Sequence, residues 1–184
     1  MLKRLLEGLR QPISLVGMGI GGLAVLALAL YGISLTQRAP DQPIEFPHNR
    51  HVGLGVQCLY CHPGALRGPS AGLPTQTKCW GCHQQLAITG SSELLRPLVA
   101  AVEGGKSLQW VPVAQVPDFV HFKHRPHIAA GLNCENCHGD LSKMTIYENP
   151  QLLNMGWCLD CHRARSENDA ELRTRLLDCG TCHY

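Results

Sequence analysis

Ten cysteines fall into five pairs with two residues between the members of each pair, and a histidine follows every pair. The motifs are Cys58-Cys61-His62, Cys79-Cys82-His83, Cys134-Cys137-His138, Cys158-Cys161-His162 and Cys179-Cys182-His183. One chemistry uses all three residues. Two thiols three positions apart lie on one helical turn and reach the two vinyl groups of a haem to form thioethers. The next residue then lies under the iron and supplies its proximal imidazole. Disulfides have no need of the histidine, and zinc sites built from Cys-x-x-Cys units have no need of it at that fixed place. With histidine at ten of 184 positions, its chance placement after all five pairs is on the order of one in two million. The expectation is five covalently attached c-type haems, with ten thioether cysteines and five proximal histidines.

Five histidines remain: His48, His51, His121, His124 and His127. Five six-coordinate haem irons need five distal ligands, so the numbers match. A lone histidine is ordinarily a solvated or core residue. These five are instead clustered in FPHNRH and VHFKHRPH, just upstream of attachment motifs. His121 has no counterpart in the first cluster, and Met144 and Met155 compete with it, since a thioether is also a good sixth ligand for haem iron.

These residues are set in a repeat. FPHNRHVGLGVQCLYCH (46–62) aligns without a gap on FKHRPHIAAGLNCENCH (122–138). Both copies keep Phe first, His two and five residues on, Gly nine on and Cys twelve on. A further motif follows each copy, giving two-haem modules at 46–83 and 122–162 and a fifth site at 179–183, all within an extracytoplasmic domain over 46–184. Segments 92–103 and 166–178 read as short helices, the first with Ser92 as cap and Gly104-Gly105 as stop, the second with Glu171 and Arg175 paired. Pro97 disturbs the first turn of the 92–103 helix. Segment 110–120 reads as extended. No strand pattern is long enough for a sheet. The expected fold is a loop-rich multihaem cytochrome with short α-helices and little or no sheet, plus one N-terminal membrane helix.

That helix is residues 13–35, which carry no formal charge after a basic leader, 1–12. A run of this length can span a bilayer, and the leader places the N-terminus in the cytoplasm and the remainder outside. A cleaved signal is the rival, with Ala27-Leu28-Ala29 resembling a cleavage site, but the apolar run continues six residues further. Residues 36–45 read as an extended linker. The leader accounts for the whole net charge of +2, so the rest is balanced at 13 basic and 13 acidic residues and gives no reason to expect a nucleic-acid partner. Only 5% of residues are aromatic, against 19 Gly and 12 Pro, which is little material for an ordinary core. Something other than side chains must be buried.

The F-x-H-x-x-H segment ahead of C-x-x-C-H resembles multihaem cytochromes of the class III kind, cytochromes c3 and c7. WVPVAQVPDFVHFKHRPHIAAGLNCENCHG (110–139) with PQLLNMGWCLDCHR (150–163) further resembles the pentahaem cytochrome subunit of bacterial alternative complex III. The resemblance implies an electron-transfer subunit of a membrane quinol:acceptor oxidoreductase in a respiratory or photosynthetic chain. Its expected partners are a quinol-oxidising membrane subunit, an iron–sulfur protein and a monohaem cytochrome c. It implies that His48 and His124 ligate the haem of their own following motif while His51 and His127 reach neighbouring haems. It also implies that Tyr often stands at the place of His121, which turns the fifth position toward Met144. A catalytic multihaem reductase would need a haem with an open face and acid–base groups beside it, which the ligand count does not leave. A stand-alone membrane quinol dehydrogenase would share the anchor but carry its own quinol site.

Overall fold

The computed structural model describes residues 2–36, 39–148 and 153–184. Gln37 and Arg38 of the linker, and residues 150–152 of the segment 150–163, lie outside the described residues. The chain divides into two units, 1–38 and 39–184.

The first unit is one helix, α1 (Leu2–Thr36). Its window Gly17–Ser34 has a mean hydropathy of 1.8, apolar and long enough to cross a membrane. Met18, Leu23 and Leu28 on it are exposed.

The second unit is built from short helices: α2 (His48–Gly53), α3 (Cys58–Cys61), α4 (Gln76–His83), α5 (Ile88–Ser91), α6 (Arg96–Glu103), α7 (His124–Ala129), α8 (Glu135–His138), α9 (Met155–Arg165) and α10 (Ala170–Leu177). Four single 3₁₀ turns, Pro63–Leu66, Glu93–Leu95, Leu141–Lys143 and Cys179–Thr181, complete it, and no strand occurs among the described residues. The expected sheet-free, loop-rich fold therefore holds. Residue Gln42, in the segment read as linker, is stitched to this unit: its amide donates to the Val111 carbonyl at 2.7 Å and accepts from the Val111 N–H at 3.0 Å.

The glycine kept in both repeat copies has a geometric reason. Gly55 and Gly131 follow α2 and α7 with φ of 79° and 78°, a region that costs side chains with a Cβ. Around each, two bonds close the helix. Gly55 N–H donates to Val52 and Val56 N–H to His51; Gly131 N–H donates to Ile128 and Leu132 N–H to His127. This is the Schellman arrangement, and it ends each histidine-bearing helix after a turn and a half and returns the chain toward its cysteines.

Two helix starts differ from the sequence reading. Ser92 makes no side-chain cap; residues 93–95 form a 3₁₀ turn and α6 begins only at Arg96. Pro97 has no N–H to give, so it is tolerated only in a first helical turn. Likewise α10 begins at Ala170, not Ser166. The Ser166 hydroxyl donates to the His162 carbonyl at 2.7 Å and closes α9, while the Asp169 carboxylate caps α10 by accepting from Leu172 N–H at 2.8 Å. The Glu171–Arg175 pair forms at 3.9 Å.

The copies brace each other. α2 packs on the turn 141–143 that follows the motif of the second copy, where Asn49 N–H donates to the Met144 carbonyl at 2.9 Å. α7 packs on the turn 63–66 that follows the motif of the first copy. Among the described residues only Ile44, Ala65 and Leu98 are buried apolar side chains, and Ser166 is the buried polar one. Three apolar side chains cannot offset the entropy of ordering such a chain. The polypeptide is a shell around something it does not itself supply.

Candidate haem-binding sites

Each motif sits on a helical turn. Cys58–Cys61 is α3, Cys79–His83 ends α4, Cys134 caps α8, Cys158–His162 lies inside α9 and Cys179 opens the last 3₁₀ turn. The i→i−4 bonds His62 N–H to Cys58, His138 N–H to Cys134 and His183 N–H to Cys179, all 2.9–3.0 Å, show the winding that brings two thiols and the following imidazole together. All ten cysteines are free thiols. Among the described residues no three His, Cys, Asp or Glu side chains converge as a metal cluster, which is the feature a zinc site would need. Burial raises the thiols of Cys61, Cys79, Cys134, Cys137 and Cys158 above their ordinary range.

The imidazoles are oriented from behind. The Nδ1 of His62 meets the Gly72 carbonyl at 2.7 Å, that of His162 the Leu176 carbonyl at 3.0 Å, and that of His183 the Phe119 carbonyl at 3.0 Å. For His138 the partner is the Tyr147 hydroxyl at 2.9 Å, and for His83 the Thr89 hydroxyl at 3.4 Å. Upstream, His51 meets the Pro47 carbonyl at 3.0 Å, His124 that of Pro69 at 3.3 Å and His127 that of Lys123 at 2.8 Å. A carbonyl can only accept, so it fixes the proton on Nδ1 and leaves the Nε2 lone pair free to bind a metal. Gly72 holds φ at 77°, which is how its carbonyl faces His62.

The imidazoles also face one another. Ring centroids lie 6.2 Å apart for His51 and His83, 6.3 Å for His124 and His138, and 6.2 Å for His127 and His162. These gaps leave room for a metal ion between the rings, and each pair of imidazoles would hold it. His48 lies close enough to His62 to feel its charge. Burial, then His62 and His51, pushes His48 down to about 4, so its ring is neutral, as a metal ligand must be. Burial likewise lowers His83, His124 and His138. The repeated phenylalanines seat the pairs: Phe46 lies 4.8 and 4.2 Å from His48 and His51, and Phe122 lies 4.8 and 4.7 Å from His124 and His127.

The fifth motif is arranged differently. His121 N–H donates to the Cys182 carbonyl at 2.8 Å, and its ring stacks on Tyr184 at 4.4 Å. Phe119 stacks on His183 at 5.9 Å. The Met144 carbonyl accepts from Asn49 N–H of α2. Met155 is the exposed first residue of α9. No described imidazole faces His183 at the spacing of the other pairs.

Tyr147 is a site residue that sequence reading missed. Its ring lies 6.0 Å from both His48 and His138, and burial pushes its hydroxyl up to about 12, so it stays a neutral partner for His138. It follows His138 by nine residues, and Ala71 stands at the equivalent place of the first copy, so the repeat carried no signal for it. A cavity of about 1300 Å³ opens among these groups, walled by Cys58, His62, Cys134, His138 and Cys158 among others.

Two comparisons place this arrangement. Residues 120–184, with three of the five motifs, match the family model described as cytochrome c7 and related cytochrome c. Over 164 residues the chain is 31% identical to the menaquinone reductase, multiheme cytochrome c subunit, of Nitratidesulfovibrio vulgaris strain Hildenborough, covering 78% of this chain and 77% of that protein. Motifs, oriented imidazoles and kinship agree: the chain belongs to the multihaem c-type cytochromes.

Proposed function

We propose that this chain attaches five c-type haems and is the electron-transfer subunit of a membrane quinone-linked oxidoreductase complex. The observation that carries the reading is the set of imidazole pairs spaced for an iron, each ring neutral or fixed by a bond at Nδ1. His62, His83, His138, His162 and His183 are the proximal ligands. His48, His51, His124 and His127 lie opposite the first four in the order His62, His83, His138 and His162. The remaining ligand, for the fifth haem, would be His121 or Met144. The bound groups supply reversible one-electron chemistry. The protein orients most of these rings, and tunes their basicity, through a partner at Nδ1.

The helix α1 anchors the unit in the cytoplasmic membrane, with the haem-bearing part on the periplasmic side, as the basic leader requires. The complex resembles alternative complex III: a quinol-oxidising membrane subunit, an iron–sulfur protein and a monohaem cytochrome c surround this chain. In that setting electrons run from quinol toward a periplasmic acceptor. The relative's name favours a second reading in which they run the other way, into menaquinone. The intact mass of the purified chain, with a pyridine haemochrome assay, is expected to give five haems per chain; four or fewer overturns the count. For direction, the native complex is mixed with menaquinol and, separately, with a reduced periplasmic cytochrome and menaquinone. Reduction of the haems by menaquinol that the isolated chain does not perform supports the first reading. Net menaquinone reduction alone supports the second.

A further inference from the structure

The chain order of the motifs is not their order in space. α2 carries His48 beside His62 and, three residues on, His51 facing His83. Residues three apart on a helix are neighbours on its surface, so the motifs 58–62 and 79–83 adjoin. Tyr60, inside the first motif, receives the Lys78 ammonium over its ring at 4.5 Å, one residue before Cys79. α7 repeats the arrangement with His124 facing His138 and His127 facing His162, so 134–138 and 158–162 adjoin.

The two halves meet around Tyr147. Tyr147 bonds His138 and lies equally close to the ring of His48, and His124 bonds the Pro69 carbonyl just beyond the first motif. That sets 58–62 against 134–138. At the other side α10 packs on α9, its Leu176 carbonyl holding His162 and its Arg175 carbonyl accepting from the Thr181 hydroxyl at 2.6 Å. That sets 158–162 against 179–183. The central cavity takes Cys58, Cys61, Cys134, Cys137 and Cys158 into its wall and none of the cysteines of 79–83 or 179–183.

We infer that the five motifs stand in one unbranched row, in the order 79–83, 58–62, 134–138, 158–162, 179–183. The inference rests on the five-site reading. The second motif in sequence is an end of the row, and the first motif is an inner member. An electron that crosses the whole domain passes the three inner sites, and redox partners meet the row at 79–83 and at 179–183.

The test is an iron-edge anomalous map of crystals of the haem-loaded full-length chain, or a cryo-electron microscopy map of the complex that holds it. The expected result is that the irons on Cys79–Cys82 and Cys179–Cys182 each have a single nearest iron, on Cys58–Cys61 and Cys158–Cys161 respectively. The iron on Cys134–Cys137 lies between those two. Five irons in any other sequence of neighbours, a branch or a closed ring overturns the row and leaves the five-site reading standing. Fewer than five irons overturns both. This order in a chain that exchanges no electrons with a quinone-linked complex upholds the row and removes the proposed function.

Discussion

The second and fourth motifs hold equivalent places in the two repeat copies and differ in what stands behind their imidazoles. In the second copy, both rings of the His127–His162 pair give Nδ1–H to backbone carbonyls, at 2.8 and 3.0 Å. In the first, His51 has such a carbonyl at 3.0 Å, but His83 has only the Thr89 hydroxyl at 3.4 Å, and that hydroxyl already donates to the His83 carbonyl at 2.6 Å. The ring planes follow suit, 23° apart in the second copy and 45° in the first. A carbonyl behind an imidazole raises its basicity and favours the oxidised iron. One repeated sequence thus builds the same imidazole pair twice and sets it against neighbours outside the repeat.

The largest expected effect tests whether either copy stands without its cofactor. With three buried apolar side chains among the described residues, neither has a core of its own. Expressed without haem-attachment machinery, residues 39–184 are expected to be protease-sensitive throughout and to lack a near-UV signal. A compact, protease-resistant apo form would remove the basis for treating the copies as shells.

Next come the ligands, where the copies should behave alike. His51→Ala and His127→Ala are each expected to convert one haem in five from low to high spin, read by electron paramagnetic resonance of the oxidised protein. An effect in one copy alone breaks the equivalence of α2 and α7. For the unpaired fifth motif, His121→Ala and Met144→Ala are compared the same way, and only one should produce high-spin haem. A change in both variants, or in neither, refutes a single trans ligand drawn from this pair.

The potentials sharpen the comparison further. One hydrogen bond is worth about 1 kcal/mol, which for a one-electron couple is about 40 mV. The haem on Cys79–Cys82 is expected to be more oxidising than that on Cys158–Cys161 by about that amount, and Thr89→Val should raise its potential by less. A redox titration followed by haem-resolved NMR measures both, and the reverse order would show that another influence outweighs the Nδ1 partners.

The smallest effect concerns charge, in which the copies act together. Beyond residue 12 the polypeptide has 13 basic and 13 acidic residues. Each ferric haem with ionised propionates adds about −1 and each ferrous haem about −2, so the proposed five haems would take the domain to about −5 oxidised and about −10 reduced. The sequence pI of 8.1 therefore misstates the holoprotein. Electrophoresis at neutral pH should show an anion that moves faster with dithionite than with ferricyanide; a cation in both states contradicts the count.

Much of this was legible before the fold. The Phe, His, Gly and Cys positions of the repeat are what two Schellman-closed helices require, and the lack of alternating apolar runs left no material for a sheet. The Glu171–Arg175 pair was readable from spacing alone. The start of α10 was not, because Ser166 and Asp169 are both good caps and only the packing of α9 decides that the first closes one helix and the second opens the next. The partners behind the imidazoles were hidden for a plainer reason. Most are backbone carbonyls, Gly72, Pro69, Leu176 and Phe119, and a carbonyl leaves no mark on a sequence. The neighbour relations were hidden as well, since they depend on α2 being braced by the second copy and α7 by the first.

The placement of the histidines along the chain has a bearing on biogenesis. His48, His51, His124 and His127 all precede the motifs whose proximal imidazoles they face. On the proposed ligand assignment, a polypeptide exported N-terminus first would present the far-side imidazole of each of these sites before the cysteines that capture its haem. Most of the groups that orient the proximal rings emerge afterwards: Gly72 after His62, Thr89 after His83, Tyr147 after His138 and Leu176 after His162. Maturation can close coordination site by site as the chain emerges, while the potentials settle only when the last helix has docked.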